Sequence, residues 1–219
     1  MGSVKHLAPP TIHALGLVEY LPTWEAMKKF TAERKPDGQS SGTRDEIWLA
    51  QHPPTYTQGL AGKPEHLLHP TSIPLIRTDR GGQITYHGPG QIMAYLLLDL
   101  RRWKINVREL VCLMEQAVID LLGEFGVAAH GSREAPGVYV GNAKIAALGL
   151  KLKHGCCYHG LALNVDMDLA PFSNINPCGN AGLRVTQCCE LGITAGFEEL
   201  QALLAQNLVH GLQQHFESR

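Results

Sequence analysis

The sequence predicts an α+β fold, a mostly antiparallel or mixed sheet covered by helices. Three observations predict it. The elements run helix, strands, helix, strands, helix, with several strands at hairpin spacing instead of the regular alternation of a βαβ winding. Two long segments, 106–126 and 197–216, carry an apolar stripe at helical spacing. No internal repeat and no linker long enough to divide the chain interrupts the pattern, so residues 1–219 are expected to form one catalytic-size domain.

Each element has its own warrant. Residues 1–13 are polar and proline-containing. A helix is expected from about Thr23, with Trp24, Met27 and Phe30 on one face. Residues 35–43 read as a flexible loop by composition. Residues 46–50 read as a strand leading into His52-Pro53-Pro54, and 70–77 as extended chain. The alternation in 83–87, the Gly88-Pro89-Gly90 turn and the apolar run 92–100 together predict a glycine-lined hairpin. The helix over 106–126 has the sharpest boundaries. Asn106 can cap, Glu109 completes a capping box and Gly126 marks the stop. Strands are expected at 137–140, 144–152 and 158–165, and a final helix with Leu200, Leu203, Leu204 and Leu208 facing inward.

Composition narrows the function. With 44% hydrophobic and 18% charged residues and a net charge of −1, the chain is globular and is not a general nucleic-acid or membrane-surface binder. No apolar run approaches the roughly 18 residues of a membrane span, and the N-terminus carries no signal core, which points to the cytoplasm. Six cysteines in that setting are reduced thiols. There is no CxxC pair, no HxH pair and no acidic partner near His159, so no metal is expected. The adjacent pairs Cys156-Cys157 and Cys188-Cys189 read as small buried hydrophobes.

The chemistry concentrates in three stretches. The first is Arg80-Gly81-Gly82-Gln83-Ile84-Thr85-Tyr86-His87, where paired glycines let backbone approach a ligand. It reads as a pocket wall or as an ordinary tight hairpin. Cys178 lies between Pro177 and Gly179 on a turn that exposes sulfur and fixes its direction, which suits a nucleophile as well as a plain turn cysteine. Lys144, at the mouth of the apolar strand that follows it, is the candidate cation for that thiolate and suits proton transfer. Its alternative is a strand-end lysine reaching water. His159 either faces the pocket or is a satisfied core histidine.

Taken together these blocks resemble the lipoyl(octanoyl) transferases. The resemblance rests on His52-Pro53-Pro54 through Thr57-Gln58-Gly59, on 80–91, on 144–149 with 159–164, and on Asn176-Pro177-Cys178-Gly179. Residues 36–43 and Cys188-Cys189 match no part of that pattern. The resemblance implies a fold like that of the biotin and lipoate ligases, with a mostly antiparallel sheet, a smaller sheet and flanking helices. It implies a Cys178/Lys144 dyad and an acyl pocket lined by Arg80 to His87, by Ala147, Leu148 and Gly149, and by His159, Gly160, Leu161 and Ala162. It further implies octanoyl transfer from octanoyl-acyl carrier protein to a lysine of lipoyl domains, those of 2-oxoacid dehydrogenase complexes and the glycine cleavage H protein. The acyl group would arrive on a phosphopantetheine arm to a monomeric enzyme that needs neither ATP nor metal. Arg101, Arg102, Lys151 and Lys153 are candidate contacts for an acidic carrier.

Three other readings stay open on the residues. An ATP-dependent lipoate or biotin ligase would share the fold and need no cysteine. A non-catalytic module binding the carrier or the lipoyl domain would keep its affinity without Cys178. A cysteine hydrolase lacks its usual local signatures here.

Overall fold

The computed structural model describes residues 7–34, 43–176 and 182–219. Its larger sheet takes the strands β1 (Thr11–Leu17), β2 (Glu46–Gln51), β6 (Gln91–Asp99), β10 (Cys156–Asn164), β9 (Ala143–Lys153), β8 (Gly137–Val140) and β7 (His130–Gly131), in that spatial order. A short strand, β11 (Arg184–Val185), adds to β9. The smaller sheet has the order β4 (Leu75–Arg77), β3 (Thr55–Gln58), β5 (Ile84–His87). Most ladders are antiparallel; β1 on β2, β3 on β4 and β11 on β9 are parallel.

The central strand β6 shows how the layers arise from period-two alternation. Ile92, Ala94, Leu96 and Leu98 face the main core, built with the stripes of α2 (Val107–Glu124) and α3 (Phe197–Glu217). Met93, Tyr95 and Leu97 face the other way, into a second cluster with Met27 of α1 (Tyr20–Ala32). The helix α2 begins as its sequence requires: the Asn106 side chain accepts from Glu109 N and the Glu109 carboxylate accepts from Asn106 N. Two such satisfied donors are worth on the order of 1 kcal/mol of helix stability. Gly126, in the left-handed region at φ 74°, follows the last turn.

Several expectations change. The run 83–100 is not a hairpin. β5 pairs with β3 in the small sheet and β6 with β2 and β10 in the large one, so Gly88-Pro89-Gly90 hands the chain from one sheet to the other. The end of β10 packs directly on that turn. Gly90 O accepts from Val165 N and Asp166 N, and a Cβ at Gly90 would lie 1.8 Å from Asp166 O. The helix α1 starts at Tyr20, three residues before Thr23, taking Pro22 into its first turn where a missing N–H costs nothing. The strand β1 was not expected; it is an edge strand with Ile12, Leu15 and Leu17 exposed, so burial imposes no alternation on it. Cys156, Cys157 and Cys188 are buried, whereas Cys189 is exposed and departs from the paired-hydrophobe reading. The expected loop at 35–43 falls almost wholly outside the described residues.

Candidate active site

A cavity of about 50 Å³ opens where the two sheets meet. One wall is Arg80 with Gly82 to Thr85 and His87; the other is Ala147 to Gly149 of β9 with His159 to Ala162 of β10. Gly149 and Gly160 stand opposite each other in the β9–β10 ladder. Over them lies the 80–83 loop, anchored by Gly81 N donating to Leu150 O at 2.9 Å. Of the wall expected from sequence, Gly81 and Tyr86 do not line this cavity. Gly81 borders an adjoining groove of about 510 Å³ that runs past Leu150 and Leu152 to Val107 and Val111. Tyr86 turns into the small-sheet core against Tyr56 and Phe172. The pocket adds Tyr20, Met93 and Tyr95, which no local motif marks.

Arg80 is a structural fork. Its Nη2 donates to Thr57 O (2.7 Å), Thr57 Oγ1 (2.9 Å) and Gln83 O (2.8 Å), and its Nη1 to Gly81 O (2.9 Å). The guanidinium thereby clamps its own loop onto β3, a task its planar five-donor geometry fits and a lysine could not share. From Thr57 a directed chain of hydrogen bonds crosses the site. The Gln91 Oε1 acceptor requires the proton on His87 Nδ1 (2.8 Å), so His87 Nε2 accepts from Thr57 Oγ1 (3.0 Å). Gln91 Nε2 then donates to Asn164 Oδ1 (2.9 Å), Asn164 Nδ2 to Thr186 O (3.0 Å), and Thr186 N to Lys144 O (3.0 Å). The pocket wall is thus wired to the strand that carries Lys144.

Burial pushes the His87 imidazole down to about 3, with nearby His52 and Arg80 adding to the effect against the Gln91 hydrogen bond. Burial likewise pushes His52 down to about 4; its Nδ1 donates to Val18 O (2.6 Å) and its Nε2 accepts from Tyr95 Oη (2.5 Å). Both rings are neutral at pH 7. Tyr20 stacks on His87 with ring centroids 5.6 Å apart, and burial raises its phenol to about 12.

His159 has the acidic partner that sequence proximity did not offer. Asp79 Oδ1 accepts from His159 Nε2 (3.1 Å) and Trp24 Nε1 (3.0 Å), and Asp79 Oδ2 accepts from Tyr158 Oη. Desolvation alone would raise the Asp79 carboxyl, but these hydrogen bonds outweigh it and hold the group well below the usual carboxylate range. Burial lowers His159, so the pair is a carboxylate with a neutral imidazole. His159 also adopts φ 66° in mid-strand, a left-handed conformation costing a non-glycine residue of order 1–3 kcal/mol. Among the described residues no three His, Cys, Asp or Glu side chains gather as a metal site.

Lys144 is buried, 4% exposed, and its Nζ donates to Pro136 O at 3.1 Å. The alternative reading, a strand-end lysine reaching water, is therefore not what the fold builds. Cys178 lies outside the described residues. Its flanks are described: Asn176 N donates to His66 O, and downstream Arg184 and Val185 pair with Ala143 and Lys144. Of the expected carrier contacts, Arg102 departs from a free surface charge, since its Nη1 donates to buried Asp45 (3.0 Å), which also takes Arg34 (2.8 Å) and Trp103 Nε1 (2.8 Å). Arg101 is paired with Asp99 at 2.8 Å.

This two-sheet α+β scaffold is the architecture of the biotin and lipoate protein ligases. Lipoate-protein ligase A bound with ATP superposes with a TM-score of 0.73 at 16% identity, over 94% of this chain and 86% of that one. The bi-partite lipoate protein ligase of Thermoplasma acidophilum, studied with its E2 lipoyl domain, gives 0.68 at 16% identity over 93% and 84%. At the level of sequence, residues 19–209 match the lipoyl protein ligase A/B catalytic domain. The octanoyltransferase of Nitrosospira multiformis is 66% identical over 198 residues, 90% of each chain. The chain belongs to the octanoyltransferase branch of that family.

Proposed function

We propose that this enzyme moves an octanoyl group from octanoyl-acyl carrier protein, through a thioester on Cys178, to the ε-amine of a lipoyl-domain lysine. The observation that carries the reading is Lys144: a buried ammonium held at the register where β9 meets the strand downstream of Cys178. A cation there favours the thiolate, which is the attacking form. The thiolate adds to the acyl carbonyl, and the C–S bond to the pantetheine breaks. The carrier's sulfur leaves and takes up a proton. The lysine amine then adds to the enzyme thioester, loses a proton and expels Cys178, leaving an amide. Exchange of one thioester for another is nearly balanced, and amide formation drives the sum, so neither ATP nor a metal is required. The apolar, glycine-flanked slot takes the eight-carbon chain, and the groove beside Gly81 gives the carrier's arm a way in. Such a reaction belongs to the cytoplasm, where carrier and lipoyl domains meet.

The test is the intact mass of the protein after incubation with octanoyl-acyl carrier protein without ATP, beside Cys178→Ala. A gain of one octanoyl group, labile to hydroxylamine and absent in the variant, is expected. No adduct, together with lipoyl-domain octanoylation that appears on adding ATP and free octanoate, would replace this reading by a ligase.

A further inference from the structure

The helix α2 is a core helix with one discordant residue. Its buried side chains are apolar except Glu115, 9% exposed, whose Oε1 accepts from Gly137 N at 2.9 Å. A carboxylate among apolar neighbours costs free energy unless it is bonded, so its place requires a reason. That N–H belongs to the same peptide unit as the Pro136 carbonyl, which accepts from Lys144 Nζ at 3.1 Å. In a trans peptide the two groups point to opposite sides. The unit is therefore gripped between a carboxylate on one side and an ammonium on the other, and each hydrogen bond polarises the peptide in the sense that strengthens its partner.

The space around this arrangement is kept by absent side chains. A Cβ at Gly131 would lie 2.7 Å from Glu115 Oε2, and one at Gly137 would lie 2.2 Å from Lys144 Cε. Gly137 sits at φ 153°, a conformation that side chains rarely adopt. Both ends of the grip are thus cleared by glycines of neighbouring strands, β7 and β8.

We propose that Glu115 is a positioning residue for acyl transfer: it fixes the Pro136–Gly137 peptide whose carbonyl seats the Lys144 ammonium. The inference rests on the reading of Lys144 given above. Glu115 never meets the substrate; it acts through one peptide plane.

The test compares Glu115→Asp, Glu115→Gln and Lys144→Ala, assayed by octanoyl transfer from octanoyl-acyl carrier protein, with thermal midpoints recorded alongside. Aspartate keeps the charge but is one methylene too short to reach Gly137 N, whereas glutamine keeps an acceptor in place. Glu115→Asp should lower kcat about tenfold or more, since small misplacements of a reacting group cost that much, with KM for the thioester within about twofold. Glu115→Gln should recover to within about threefold of wild type. A merely structural carboxylate would lower the melting midpoint of these variants and leave kcat alone. Glu115→Asp at wild-type kcat, while Lys144→Ala is inactive, would overturn this inference and spare the reading it rests on. Lys144→Ala at wild-type rate would overturn both.

Discussion

Replacing Asp79 by alanine should destabilise the protein more than its half-exposed position suggests. The carboxylate ties its own loop to two elements: Trp24 on α1, and Tyr158 and His159 on β10. In Asp79→Ala the Tyr158 hydroxyl and the His159 Nε2–H keep their burial, each residue being 2% exposed, but lose their acceptor. An orphaned buried donor costs about 1–3 kcal/mol, so the pair costs about 4 kcal/mol. For a chain of this size each kcal/mol shifts the melting midpoint by roughly 2–4 °C, which gives a fall of about 8–16 °C. Asp79→Asn retains one carbonyl oxygen and should fall about half as far. His159 also loses what holds its left-handed backbone, so the pocket wall should loosen with the melt. The assay is thermal unfolding by circular dichroism, with and without a saturating octanoyl thioester. An Asp79→Ala midpoint within about 2 °C of wild type would show that water satisfies these donors and refute the argument.

The remaining predictions are shorter. His52 and His87 are held far below the ordinary 6.5, so the unfolded chain binds protons that the folded one refuses. Their stabilisation is complete above pH 6.5 and is lost as pH falls from there towards 4 and 3, by roughly 2 kcal/mol each at pH 5; urea midpoints that stay level from pH 7 to 5 would contradict it. Gly160→Ala would place a Cβ 2.0 Å from Ala94 O in the central ladder and 2.9 Å from Leu96 Cδ1. Because the first neighbour is backbone, the cost should be about 3 kcal/mol or more, read as a lowered urea midpoint; an unchanged midpoint would mean the strands can part cheaply.

What the sequence made legible follows physical range. The helix α2 was readable to the residue because its caps are satisfied by neighbours three positions away. The strands β8 to β10 were readable because each is a mostly apolar run between short turns and pairs with its neighbour in sequence. The assignment of β5 and β6 to one hairpin failed because a Gly-Pro-Gly turn looks alike whether the chain folds back on itself or changes sheet; what decides is the partner of β5, some thirty residues upstream. The site divides in the same way. Its glycine walls stand in local motifs, while Asp79 meets His159 across 80 positions and Tyr20, Met93 and Tyr95 reach the pocket only through tertiary packing. Glu115 carries no local signal, because the N–H it accepts from lies 22 positions further on.

The sheet order carries a kinetic consequence. Its central contact joins β6 to β10, so residues 91–99 must find 156–164, whereas β9 and β10 close over a two-residue turn. Drawing together ends some sixty residues apart costs about 4 kcal/mol of chain entropy before any contact repays it, and such non-local pairing sets folding speed. The local meander of β8 to β10 is therefore free to form early and the N-terminal strands to dock late. The slot needs a wall from each half. During synthesis it cannot exist until residue 164 has left the ribosome, and in refolding its appearance should coincide with the slowest step.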